Sequence, residues 1–154
     1  MTRAEGARYA HTNLIARDWR GLSAFYREVF GCEPLLPERE QSGEWLERGT
    51  GVSNARLAGV HLRLPGHGEG GPTLEIFSYS DCLEGTASVP NCLGYGHIAF
   101  AVDDVPQALE AVLAAGGSRV GEIVSADVPG AGRIEFTYAR NPEGNIVELQ
   151  RWYR

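Results

Sequence analysis

The chain has no lysine: all 14 of its basic residues are arginine. That removes a Schiff-base lysine and a phosphate-loop lysine from the available chemistry. Any anionic ligand has to be met by arginine, by backbone N–H groups or by a metal. Cysteine is scarce as well. Cys32, Cys82 and Cys92 are odd in number and form no C-x-x-C pair, which fits reduced thiols better than a disulfide framework. No apolar run approaches the length needed to span a bilayer. The segment MTRAEGARYAHTN has no apolar signal-peptide centre, so the chain reads as soluble and cytoplasmic. A basic stripe is missing too. With a net charge of −6, a nucleic-acid partner is not expected.

What is present suits a small folded protein. The 154 residues, 43% of them hydrophobic, fit one domain or two small modules sharing a core. Alternation over residues 8–16 predicts a strand. Asp18 is placed to cap a helix over 19–30, where Leu22, Phe25, Tyr26, Val29 and Phe30 follow helical spacing. Gly31 supplies a stop. Strands are expected near 33–38 and 55–64, with a loop over 39–54. PGHGEGGP (65–72) lacks phosphate-loop spacing and a following helix, and reads as a turn into the strand TLEIFSY.

Residues 80–93 read as a linker. The order then repeats. GHIAFAV (96–102) is a strand, and Asp103 or Asp104 caps a helix near 105–115 with Ala108, Leu109, Val112 and Leu113 on its apolar stripe. Strands near 119–124, 132–139 and 145–151 follow, the last two joined by the turn NPEGN. Each half is β-α-β-β-β, so an α+β fold is expected. Trp19, Phe25 and Tyr26 read as core or interface residues.

The repeat carries the chemistry. His11 aligns with His97, Asp18 with Asp104, Gly31 with Gly117, and L-E-I (74–76) with V-E-L (147–149). Glu75 and Glu148 each sit mid-strand between apolar neighbours. Period-2 alternation turns those neighbours one way and the glutamate the other. A carboxylate so placed is costly to bury unpaired. Two histidines and two glutamates at equivalent positions predict one divalent ion held by His11, Glu75, His97 and Glu148. Mixed N/O donors suit Ni²⁺, Zn²⁺, Co²⁺, Fe²⁺ or Mn²⁺. His67 lies in a glycine turn. His61 has no histidine as repeat partner and is not placed by pattern.

The motifs HTNL (11–14), AFYREVFG (24–31), GYGHIAFAVDD (94–104) and NPEGNIVEL (141–149) resemble the vicinal oxygen chelate superfamily. This group includes glyoxalase I, methylmalonyl-CoA epimerase, extradiol dioxygenases and the fosfomycin and bleomycin resistance proteins. The resemblance runs from residue 8 to residue 151. It implies a single domain over 1–154, with module one at about 8–80, a linker at 81–93 and module two at 94–151. The modules would form an open, cup-like mixed sheet with helices outside.

The donor set looks most like glyoxalase I. The epimerase usually has glutamine at the Glu75 position, the extradiol enzymes need no carboxylate there, and the bleomycin-type proteins lack the set. No group of glutathione-carboxylate residues matches.

These features point to a metal-dependent lyase or isomerase that abstracts a proton next to a carbonyl, with Glu148 or Glu75 as base. An epimerase, a metal-dependent dioxygenase and a small-molecule-binding resistance protein are the alternatives. The resemblance further implies a small-molecule substrate, a thiol adduct or an acyl-CoA, and a homodimer, for which Trp152 and Tyr153 offer an apolar tip. An anionic substrate tail would meet arginines; Arg17, Arg20, Arg133 and Arg140 are candidates by position.

Overall fold

The computed structural model describes residues 3–154. They divide into two units. One takes the residues up to Ser23 and Gly31–Cys82; the other takes Ala24–Phe30 and Leu83–Arg154. The elements run β1 (His11–Ile15), α1 (Trp19–Phe30), β2 (Glu33–Ser42), α2 (Glu44–Thr50), β3 (Arg56–Arg63) and β4 (Thr73–Tyr79). Then come β5 (Ile98–Ala101), α3 (Val105–Ala114), β6 (Ser118–Arg119), β7 (Val124–Val128), β8 (Gly132–Arg140) and β9 (Ile146–Tyr153). The class is α+β, as expected.

Sheet one has the order β1-β4-β3-β2, with β1 parallel to β4 and the other pairs antiparallel. Sheet two has the matching order β5-β9-β8-β6, with β5 parallel to β9. The β7 strand also pairs with β8. Together β6 and β7 follow one edge of β8, so they are the broken counterpart of β2.

The caps expected from sequence are present. The Asp18 carboxylate accepts from the Gly21 N–H at 3.0 Å, and that of Asp104 accepts from the Gln107 N–H at 2.8 Å. Each satisfies an amide the first helical turn leaves unpaired. Gly31 follows α1 at φ +69°, a left-handed conformation that favours glycine.

Two segments differ from expectation. The 39–54 stretch is not a loop: β2 continues to Ser42 and α2 follows. Pro37 lacks a ladder N–H and coincides with a register shift between Leu35 and Arg39, after which pairing resumes. The α2 helix forms because Leu46 is buried with Ala55, Leu57 and Phe77. One buried residue in seven leaves no period to read. The strand expected at 119–124 is split into β6 and β7.

Each sheet buries one face. In sheet one that face carries Val60, Leu62, Leu74 and Ile76; in sheet two it carries Phe100, Ala139, Val147 and Leu149. Helix α3 packs on β8 and β9 through Leu109 and Val112. The second half of α1 belongs to the same unit. Phe30 stacks on Phe100 with ring centroids 3.9 Å apart, and the Asn141 side-chain amide donates to the Tyr26 hydroxyl at 3.0 Å.

Candidate metal and substrate site

Strand register decides which side chains share a face. In sheet one Glu75 is opposite His61 on β3 and Asn13 on β1. His11, two residues before Asn13, lies on that same face. The Glu75 carboxylate therefore collects several donors. Asn13 Nδ2 donates to Oε1 at 2.8 Å, His61 Nε2 lies 2.7 Å from Oε2, and His11 Nε2 lies 3.7 Å from Oε1. The Glu75 side chain is 13% exposed.

Burial holds the His61 imidazole below its ordinary pKa; Glu75 opposes this, while Arg39 and His11 add to the lowering. A neutral ring that donates from Nε2 to Glu75 presents Nδ1 as an acceptor, and Thr73 Oγ1 stands 3.2 Å from it. Thr73, His61 and Glu75 thus form one hydrogen-bonded chain.

In sheet two His97 Nε2 is 2.9 Å from Glu148 Oε2, and the Glu148 side chain is also 13% exposed. His97 immediately precedes β5. The surroundings are different. Glu148 is opposite Ala99 on β5 and Tyr138 on β8. The Tyr138 ring lies 4.9 Å from the His97 ring, and Phe136 is 5.8 Å further along. Residues that are polar around Glu75 are apolar or aromatic around Glu148.

The four residues singled out from sequence therefore form His–Glu partnerships inside each unit. His61, Asn13 and Thr73 were not foreseen. The signal for His61 was the register of the β3–β4 hairpin, which places it directly opposite Glu75. Among the described residues, no group of three or more His, Cys, Asp or Glu side chains is arranged to hold a metal ion. His67 is exposed.

Three of the four expected rim arginines are engaged elsewhere. Arg20 forms a two-pronged pair with Glu38 at 3.0 Å, Arg133 pairs with Asp127 at 3.1 Å, and Arg140 donates to the Ser88 carbonyl at 3.0 Å. A cavity of about 290 Å³ between Gln41, Arg56, Leu57 and Tyr79 is lined by no histidine and stands apart from this chemistry.

The sequence profile described as "Glyoxalase/Bleomycin resistance protein/Dioxygenase superfamily" matches residues 8–149. The chain belongs to this superfamily. Solved structures of the same fold agree. A glyoxalase family protein from Bacillus cereus is 20% identical, with a TM-score of 0.81 over 99% of this chain and 100% of its own. The genomically encoded fosfomycin resistance protein FosX from Listeria monocytogenes is 20% identical, with a TM-score of 0.57 over 96% and 93%. A glyoxylase/bleomycin resistance protein/dioxygenase domain from Frankia is 18% identical, with a TM-score of 0.57 over 96% and 98%. No curated protein sequence matches the chain. Among the described residues, no helix of this superfamily member is long and apolar enough to cross a membrane.

Proposed function

We propose that the protein is a divalent-metal-dependent lyase or isomerase of glyoxalase type, with His11, Glu75, His97 and Glu148 as ligands. The observation that carries this reading is the matched pairing of a histidine with a mid-strand, largely buried glutamate in each half. Imidazole nitrogen and carboxylate oxygen suit a borderline divalent ion such as Ni²⁺, Zn²⁺, Co²⁺, Fe²⁺ or Mn²⁺. A variant of the Listeria FosX protein was crystallised with Mn(II) and a dihydroxypropylphosphonic acid, so the fold accommodates such an ion and a small oxygen-rich ligand.

The bound ion would act as a Lewis acid on a substrate oxygen. The chain's own groups do the rest. Asn13 and His61 fix the Glu75 carboxylate. Glu148, held by His97, is the freer carboxylate and takes the proton from the carbon next to the carbonyl. Ala99 and Tyr138 flank it on the neighbouring strands. A small molecule, as a thiol adduct or an acyl-CoA, is the proposed substrate, and a homodimer the proposed assembly.

Metal analysis of the purified protein tests the reading. About one ion per chain is expected, and it should be lost in each alanine variant of the four ligands with the fold retained. Full occupancy in His97→Ala/Glu148→Ala removes the ligand assignment. Proton exchange in D₂O on hemithioacetal and acyl-CoA substrates, abolished in Glu148→Gln, tests the reaction. A sedimentation mass near 16.7 kDa would contradict the dimer.

A second reading has its own support. Sequestration of a small molecule without chemistry draws on the resistance proteins of the same superfamily. Tight binding of an unreacted molecule by protein without metal would favour it.

A further inference from the structure

The chain lacks lysine, and five of its 14 arginines are held by carboxylates. Arg20, Arg48, Arg63, Arg119 and Arg133 lie against carboxylates. Arg39 is different. It is half-buried, its guanidinium donates to the Pro37 carbonyl, and no carboxylate among the described residues forms an ion pair with it. Its neighbours Glu33 and Glu38 are taken by Arg63 and Arg20.

Register puts Arg39 on the face that carries Glu75. After the shift at Pro37, Arg39 pairs with Gly59, which precedes His61 by two residues on β3. Gly59 in turn pairs with Phe77, two residues after Glu75 on β4. Arg39, Gly59, His61, Glu75 and Phe77 therefore point the same way. Gly59 contributes no side chain, and the Phe77 ring covers it: a Cβ there would lie 2.4 Å from Phe77 Cδ1.

We propose that Arg39 is the anion-binding residue of this face, and that its ligand is a short carboxylate carrying a further oxygen turned towards Glu75. This deepens the metalloenzyme reading and rests on it for the role of the Glu75 end. The span sets the ligand's size. Two strand spacings and two residues along the strand separate the Arg39 and Glu75 backbones by roughly 12 Å. A molecule that touches both side chains on that face is therefore short. A guanidinium without a carboxylate partner gains charge-assisted hydrogen bonds when an anion arrives.

The test uses lactate and lactamide, which share a shape and differ in charge. The Arg39 Nε–H resonance of the full chain is followed by NMR, metal-free and after loading with Zn²⁺. Lactate should shift it in both states and lactamide in neither. Arg39→Gln should weaken lactate binding about tenfold or more with unchanged Zn²⁺ content, and Arg39→Lys should recover part of the loss. Wild-type lactate affinity in Arg39→Gln, equal binding of lactate and lactamide, or no shift with lactate overturns the proposal. The two readings fail separately. A chain that takes up no Zn²⁺ yet shifts at Arg39 loses the metal site and keeps the anion site; a chain that takes up Zn²⁺ without the shift does the reverse.

Discussion

His61 and Tyr138 occupy equivalent places in the two sheets: His61 stands opposite Glu75, and Tyr138 stands opposite Glu148. The same substitution of polar by apolar recurs at Asn13 and Ala99, each two residues after its module's histidine and opposite its glutamate. The repeat thus keeps the histidine and the carboxylate while changing what surrounds them. Glu75 is held by three side chains and Glu148 by one. A held carboxylate suits a permanent ligand, and a less restrained one suits proton transfer.

This asymmetry predicts unequal responses. His61→Phe removes a donor to Glu75 and should lower metal affinity by about 10–100-fold, the usual effect of losing a partner that orients a ligand. Tyr138→Phe keeps the ring beside His97 and should change affinity less than about threefold. Competition with a chromophoric chelator measures both. Equal losses would contradict the division of roles.

Tyr26→Phe should destabilise the protein by about 1–3 kcal/mol. The Tyr26 hydroxyl is the acceptor for the buried Asn141 Nδ2, and losing it strands a donor away from water. The Asn141 Oδ1 contacts with the Glu143 and Asn145 N–H groups at 3.0 and 3.1 Å should survive. Urea denaturation should show a lower midpoint with the same slope.

Gly59→Ala should cost about 3 kcal/mol or more. The added Cβ would lie 2.0 Å from the Ile76 carbonyl oxygen, and a sheet carbonyl cannot move without breaking its ladder. Gly121→Ala, where a Cβ meets nothing within 4 Å, should fall within about 0.5 kcal/mol of wild type. Thermal melts of the two variants make the comparison.

The thiols should separate by reactivity. Burial pushes the Cys32 pKa up to about 11, so at neutral pH almost none of it is the reactive thiolate. Raising the pH towards 11 increases that fraction, but burial still denies access. Cys92 is exposed. Titration with a disulfide reagent at pH 8 should modify Cys92 within minutes and Cys32 only after denaturant is added. Rapid labelling of Cys32 in the native protein would show that it is not packed as described.

Much of the architecture was legible because it rests on local rules. Asp18 and Asp104 announce their helices by capping chemistry, and the L-E-I and V-E-L triplets announce their faces by alternation. Features that depend on pairing were hidden. His61 could be placed only once β3 was registered against β4, and a search for repeated histidines passes it over because its counterpart is Tyr138. Arg39 was hidden by Pro37, since a proline normally argues against strand beyond it. The α2 helix exposes six of its seven residues wholly or in part, so its one buried residue, Leu46, gives no period.

The interruption at Pro37 has an effect on how copies of the chain behave when crowded. A long, straight outer strand offers a row of unpaired amides that invites a neighbour to add on. In sheet one the β2 edge carries Pro34 and Pro37 with Glu33, Glu38, Arg39 and Glu40 around them, and its register shifts midway. In sheet two the corresponding edge is cut into β6 and β7. The opposite edges, β1 and β5, are only 5 and 4 residues long. Neither sheet presents a smooth template for fibril growth, so the same break that brings Arg39 level with Gly59 also guards the fold against edge-to-edge aggregation.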